Sequence, residues 1–254
     1  MTYLAVKNWD IEVRRGNITG MTKVAIFGHD DVLSTTRETI HPTGVTDLIK
    51  QDGIHRTGGT PAKVKVASTS TDDDGGGIGM LTCLLIGLDA SGNAQTETIT
   101  MDGQTEVTSS GTYSAINGMR ALTWGSQKYN VGTIWTGTGT FTSGVPATEY
   151  MSMHLRDNKA MTAIYTVPLG KTFYLEKVVL TVATTNKDVE FYIETSLDGL
   201  NFVTEAVFGM EPGEIQFNTD ALPGIPANSV VRMEAVSTGT TAVMVIMNGV
   251  LIDD

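Results

Sequence analysis

Residues 68–107, STSTDDDGGGIGMLTCLLIGLDASGNAQTETITMDGQTEV, alternate turn chemistry with strand chemistry. A polar turn (69–79) precedes an apolar run (80–88), a tight turn (89–93) and an alternating run (95–101). Asp and Asn tolerate left-handed backbone and Gly adopts positive φ freely, so each break falls where a chain can reverse. Asp89 with Ser91-Gly92-Asn93 closes one hairpin, and Asp102-Gly103 is a second hairpin signal leading into another short strand. The stretch predicts an up-and-down β meander, and none of its residues suggests catalysis.

The same grammar extends outward. Lys63-Val64-Lys65-Val66-Ala67 alternates charged and apolar residues as a half-exposed strand does. Residues 115–124 and 129–135 predict two more strands, with Gly118 at a bulge, and the Gly/Thr-rich run 136–144 predicts a turn or hairpin tip. Gly, Pro and small residues over 143–149 place a boundary there. Beyond it, strands are expected at 161–167, 172–183, 189–195, 202–208, 215–217, 229–236 and 241–252. That is the number a jelly roll or similar sandwich uses, and the last strand is apolar enough to be central. The first sixty residues are less regular: short strands at 3–6, 11–13 and 22–27, punctuation at Gly28-His29-Asp30-Asp31, a helical turn or two within 32–40, and a Gly-rich linker at 53–60. The fold expected is all-β, a β meander followed by a jelly-roll-like β-sandwich. The parts are an N-terminal arm or edge layer (1–60), a β-rich domain (61–147) and the sandwich (148–254), which can share sheets with the first half.

A chain of 254 residues can bury a sizeable core, and 41% hydrophobic content with 28 Gly suits short strands and tight turns. The net charge of −11 repels phosphate backbones, so nucleic acid is not an expected partner. Arg14-Arg15 and Lys63/Lys65 are the only small basic groups. No run is long enough for a membrane helix, and residues 1–8 lack the apolar core of a signal peptide, so synthesis in a cytoplasm is expected. Cys83, within an apolar run, reads as a buried, unreactive thiol.

Several motifs invite a site. Leu169-Gly170-Lys171-Thr172 contains the GKT of a phosphate loop, but Tyr165 stands where the first Gly belongs, and a strand follows where a helix is needed. Asp72-Asp73-Asp74 concentrates carboxylates before three glycines; weak binding of a hard cation is conceivable, although the spacing is not that of an EF-hand and a solvated turn explains it. His29, His41, His55 and His154 lack metal-ligand spacing. Trp124, Tyr129, Trp135 and Phe141 could form a sugar-binding platform, or pack in a core or interface. No G-x-S-x-G elbow is present. No catalytic, cofactor-binding or metal residue is assigned, and no enzymatic activity is expected.

Two separated segments carry a resemblance. Gly87-Leu88-Asp89 with Thr96-Glu97-Thr98-Ile99-Thr100, followed by Tyr165-Thr166-Val167-Pro168-Leu169-Gly170-Lys171-Thr172-Phe173-Tyr174-Leu175, resembles virion structural proteins of tailed phages. The resemblance covers residues 63–180 well and the C-terminal strands loosely. It implies a protein that decorates or cements the capsid exterior, with the major capsid protein as partner. A homo-oligomer, here taken as a trimer, follows from the positions such proteins occupy. The alternative is a tail- or head-fibre domain that binds host surface glycan.

Overall fold

The computed structural model describes residues 9–42, 60–183, 187–219 and 222–254. One short helix, α1 (Trp9–Arg14), precedes β1 (Met21–Leu33), β2 (Glu38–Thr39), β3 (Lys65–Ser68), β4 (Met80–Asp89) and β5 (Ala94–Thr100). There follow β6 (Val107–Thr108), β7 (Tyr113–Trp124), β8 (Ile134–Thr142), β9 (Val145–Met153) and β10 (Ile164–Thr166). The chain closes with β11 (Lys171–Val182), β12 (Val189–Ser196), β13 (Val203–Met210), β14 (Gly213–Asn218), β15 (Val230–Ser237) and β16 (Thr241–Asp253). The protein is all-β in character, as its Thr/Val-rich, Gly-punctuated sequence requires.

The pairing order identifies the sandwich. One sheet runs β1-β16-β11-β14, and the other runs β10-β15-β12-β13 with β2 also on β15. If β2 and β10 count as one strand, the eight strands in chain order pair first with eighth, second with seventh, third with sixth and fourth with fifth, every pair antiparallel. A long hairpin rolled up on itself gives this order, and it is a jelly roll. Its core lies between the sheets: Phe173, Leu175, Val178 and Leu180 from β11, Phe191 and Ile193 from β12, Met233 from β15, and Val243, Val245 and Met247 from β16. The apolar last strand is central, flanked by β1 and β11.

The second strand of the roll is split. Glu38 and Thr39 pair with Ala235 and Glu234, and Ile164 to Thr166 pair with Arg232 to Val230, further along the same edge. At the break, the Ile40 N–H donates to the Met233 carbonyl (3.0 Å), the Met233 N–H to Ala163 (2.9 Å) and the Ala163 N–H to Ile40 (2.9 Å). The chain thus leaves the ladder after Ile40 and rejoins it at Ala163 with the backbone groups still paired. Gly28 faces this junction. A Cβ there would lie 2.6 Å from Ala163 Cβ and 2.8 Å from Val245 Cγ1, so only glycine allows the close approach.

Between departure and return, sheets β6-β3-β8-β9 and β5-β4-β7 form a second sandwich. Its core is Met80, Cys83, Leu85, Ile99, Ile116, Met119, Ile134, Met151 and Met153, completed by Ile164 and Val230 of the roll. The two parts also share polar contacts. Asn117, the extra residue at the β-bulge beside Gly118, gives its Nδ2–H to the Thr166 carbonyl and takes the Thr166 N–H on Oδ1, both at 2.8 Å. Its side chain thereby acts as a one-residue strand. The Leu169 N–H donates to the Gly92 carbonyl at 2.7 Å, which ties the β4–β5 turn to the loop before β11.

Several expectations need correction. Residues 11–13 belong to α1, where Asp10–Arg14 (3.2 Å) and Glu12–Arg15 (3.2 Å) pair along one turn and Gly16 ends it at φ 73°. Gly28-His29-Asp30-Asp31 lies inside β1, and residues 32–40 hold β2 in place of a helical turn. Asp102-Gly103 does not join neighbouring strands: the chain crosses to the other sheet, where β6 pairs with β3. The Gly/Thr run is most of β8, because alternating Thr fits a strand and Gly137 lets the Thr148 carbonyl approach. Ser143-Gly144, near the expected boundary, is the tight turn between β8 and β9. The strand expected at 3–6 and nearly all of the linker at 53–60 lie outside the described residues. From the first sixty residues, β1 and β2 join the roll.

Asn117→Ala removes both bonds to Thr166 and should cost about 2 kcal/mol, read as a lower urea midpoint with an unchanged m-value; an unchanged midpoint would show that this side chain does not hold the two parts together.

Candidate assembly surface

The acidic triplet lies in a turn whose Asp72 is exposed, as expected, but its middle residue departs from that reading. Asp73 is fully buried. Its Oδ1 accepts the N–H groups of Met80 (2.7 Å) and Val131 (2.9 Å), and its Oδ2 accepts the Gly132 N–H (2.7 Å) and the Ser68 hydroxyl (2.7 Å). One carboxylate therefore ties β3, the start of β4 and the loop before β8 to a single point. Gly79 is glycine because a Cβ there would sit 2.2 Å from Asp73 Oδ1. Asp74 Oδ1 accepts the Gly76 N–H (2.8 Å), a local turn bond. With its lone pairs taken, Asp73 is spent on structure, and among the described residues no group of three His, Cys, Asp or Glu side chains could hold a metal.

The aromatic residues divide between core and surface. Trp135 is buried, whereas Trp124 is exposed, with its indole N–H on Asn158 Oδ1 (2.9 Å). Tyr129 donates to Gln127 Oε1 and lies under the Arg156 guanidinium at 5.0 Å; Phe141 lies near Lys65 at 5.9 Å. Lys171 and Thr172 of the GKT segment bind the Asp253 and Asp254 carboxylates, so a turn and a strand edge occupy these groups. Burial pushes the Cys83 thiol up to about 12, in keeping with an inert thiol. His29 pairs with Asp31 at 3.1 Å, and His41 Nδ1 lies 2.9 Å from the Pro42 carbonyl. His154 gives its backbone carbonyl to the Asn130 side chain (2.7 Å), and His55 lies outside the described residues. Lys65 pairs with Glu106 at 3.1 Å, Arg14 with Asp10 and Arg15 with Glu12, and Lys63 is exposed.

The feature that sequence reading passed over is the turn between β12 and β13. Asp198 Oδ1 accepts the N–H groups of Leu200 and Asn201 (2.8 Å each) and the Ser196 hydroxyl (2.9 Å), and Oδ2 accepts Asn201 Nδ2–H (2.6 Å). These bonds, the Asn201 N–H foremost, hold the Asp198 carboxyl well below the usual range. The ordered turn keeps Leu197 and Leu200 in water, 73% and 65% exposed, with Val203 beside them at 63%. Beneath lies a cavity of about 470 Å³, walled by Ile193, Val203, Leu222, Pro223, Ile225 and Pro226. Leucines held rigidly outward beside an apolar hollow form the kind of patch that marks a contact surface. The available signal was two leucines flanking Asp198-Gly199, where a solvent turn would carry polar residues.

On the outer face of the β15–β12 sheet, Glu194 and Glu234 share two cations. Arg37 Nε contacts Glu234 (2.7 Å) and its guanidinium also bonds Glu194, while Arg232 reaches Glu194 (2.9 Å) and Glu234 (2.7 Å). The cations stack on Tyr192 (3.7 Å) and Phe202 (3.5 Å). Desolvation still raises the Glu234 pKa, and it raises those of Asp30 and Asp157 as well.

No family model matches the chain, and no curated protein matches it. Among solved structures it is similar to a chain of the naturally occurring empty top component of cowpea mosaic virus, at 9% identity, over 76% of this chain and 82% of that one, with a TM-score of 0.21. A chain of infectious bursal disease virus, Gt strain, is similar at 10% identity over 92% and 73%, with a TM-score of 0.21. The Gx strain gives 8%, 91% and 71%, with a TM-score of 0.22. These scores are too low to carry an argument, and the jelly roll rests on the chain's own pairing order.

Asp73→Asn sets an amide donor against backbone N–H groups and should cost about 3 kcal/mol or more, measured as a lower urea midpoint. A second expectation concerns pH. A carboxyl whose folded pKa is raised stabilises the fold below its unfolded pKa, and that stability is lost as pH rises through the folded value. Asp30, Asp157 and Glu234 all act in this sense, so the Tm should rise as pH falls from about 7 toward 5. Calorimetry across that range checks it, and a Tm that falls throughout would contradict the assignment.

Proposed function

We propose that the chain is a virion structural protein that decorates or cements the exterior of a tailed-phage capsid, with the major capsid protein as its partner and a homotrimer as its working form. The observation that carries this reading is the rigid apolar turn at the end of the jelly roll. Leu197, Leu200 and Val203 are held in water by the Asp198 bonds, an arrangement that gains energy only when another surface covers them. Covering one such side chain is worth about 1.5–3 kcal/mol. Stable contacts bury on the order of 1,200–2,000 Å², and many equivalent contacts on a shell add through avidity. The net charge of −11 suits the outer face of a shell, away from packaged nucleic acid. The resemblance of residues 87–100 and 165–175 to virion proteins supports the same reading, and neither enzymatic nor membrane chemistry is part of it.

Quantitative mass spectrometry of purified virions tests it. A copy number equal to that of the major capsid protein, or a simple fraction of it, is expected. The double variant L197D/L200D, altered only in exposed side chains, should fold with a near-normal Tm yet be depleted at least about tenfold from particles. A few copies per particle would favour the fibre reading, and absence from particles would overturn the structural role.

A further inference from the structure

A second hollow, of about 350 Å³, lies where β1 faces β7 and the segment leading into β10. Its walls are largely apolar, with Phe27, Ile86, Met119, Met151 and Tyr165 among the residues that line it. Three cations reach it. Lys23 is already neutralised by Asp10 (2.7 Å) and Glu176 (2.5 Å). Lys159 and Arg120 are not, since among the described residues no carboxylate pairs with either. Their backbones form an antiparallel bridge, which sets the two like charges side by side. The Lys159 ammonium is half-buried, 3.6 Å from the centre of the Phe27 ring. Burial first, and Arg120 second, lower its pKa. Thr162 also lines the hollow; the residue is 6% exposed and its Oγ1 is buried without a hydrogen-bond partner, so a rotation about χ1 would turn the hydroxyl toward a ligand.

Each of these features is unfavourable by itself. Adjacent like charges on paired strands repel, a cation loses hydration on burial, and a buried hydroxyl without a partner forfeits its hydrogen bond. All three are relieved by one group, an anion between Lys159 and Arg120 that accepts a hydrogen bond from Thr162. A guanidinium matches a carboxylate with two parallel bonds, and the apolar walls require a carbon body behind the charge. We propose that this hollow is a binding site for a small carboxylate with an aromatic or branched apolar body, held by Lys159, Arg120 and Thr162 Oγ1. The residues that would hold the carboxylate are none of those in the 197–201 turn, and the site does not depend on the assembly role.

Benzoate is the probe and benzamide its neutral counterpart, titrated into the whole chain by amide-resolved NMR with calorimetry alongside. Benzoate should shift the amides of residues 117–120 and 159–162 and raise the Tm, and benzamide should bind at least about tenfold more weakly. Lys159→Met keeps the apolar stem and removes the charge. It should weaken benzoate at least about tenfold, and without benzoate its Tm should equal or exceed that of the unaltered chain, because a repulsion has gone. A purely structural lysine, held for its contact with Phe27, would instead lower the Tm on substitution. Arg120→Gln, at an exposed position, is the second variant and should weaken benzoate severalfold. Equal affinity for benzamide, unchanged affinity in both variants, or no benzoate binding at all would overturn the proposal.

Discussion

Everything in this molecule is arranged around the edge of β15, where Met233 is shared by two segments that are distant in sequence. Ile40 takes one of its backbone bonds and Ala163 the other. A strand can be cut at such a point only if both ends stay in register, because a ladder group left unpaired inside a protein costs as much as a lost hydrogen bond. The same demand fixes Gly28 on the facing sheet, where any side chain would push the junction away. It also brings residues 41 and 162 close together, as a second folded part inserted into a first requires.

The insertion is more than tethered. Asn117 reads the Thr166 peptide as a neighbouring strand would, Gly92 accepts from Leu169, and Ile164 and Val230 belong to the second core. The two segments that carry the resemblance to virion proteins therefore meet in space: the 87–100 hairpin lies against the 165–175 entry to β11. Gly87 has a local reason of its own, since a Cβ there would meet the Ala115 carbonyl at 2.1 Å.

Legibility in the sequence tracked the range of the governing interaction. The 89–93 turn is closed by Asp89 on the Ser91 and Asn93 N–H groups, a bond spanning four residues, and it reads off directly. The strands from β11 to β16 alternate strongly enough to be placed within a residue or two. Asp73 was misread because its partners, Val131 and Gly132, lie almost sixty positions away and turn a polar loop into a buried anchor. The Gly28-His29-Asp30-Asp31 group has the composition of a turn, yet pairing with β16 holds it extended. At 11–13, three residues cannot separate period 2 from period 3.6, and the Asp10–Arg14 pair decided for helix. The turn at 197–201 falls in the gap between the strands expected at 189–195 and 202–208, but its meaning is not legible there, because exposure of a leucine is a tertiary property.

The first-with-last pairing of the roll bears on how the chain is made. During synthesis β1 emerges more than two hundred residues before its partner β16. The inserted sandwich, whose strands are all made between these two events, can gather most of its core first, lacking Phe202 and Val230 from the later part of the roll. Until β16 arrives, β1 is an edge without this partner in a nascent polypeptide, the condition under which strands pair with the wrong neighbour. The carboxylate of Asp31, exposed in the finished fold, then guards a waiting edge on that strand: a charge that stays in water disfavours pairing between two growing chains.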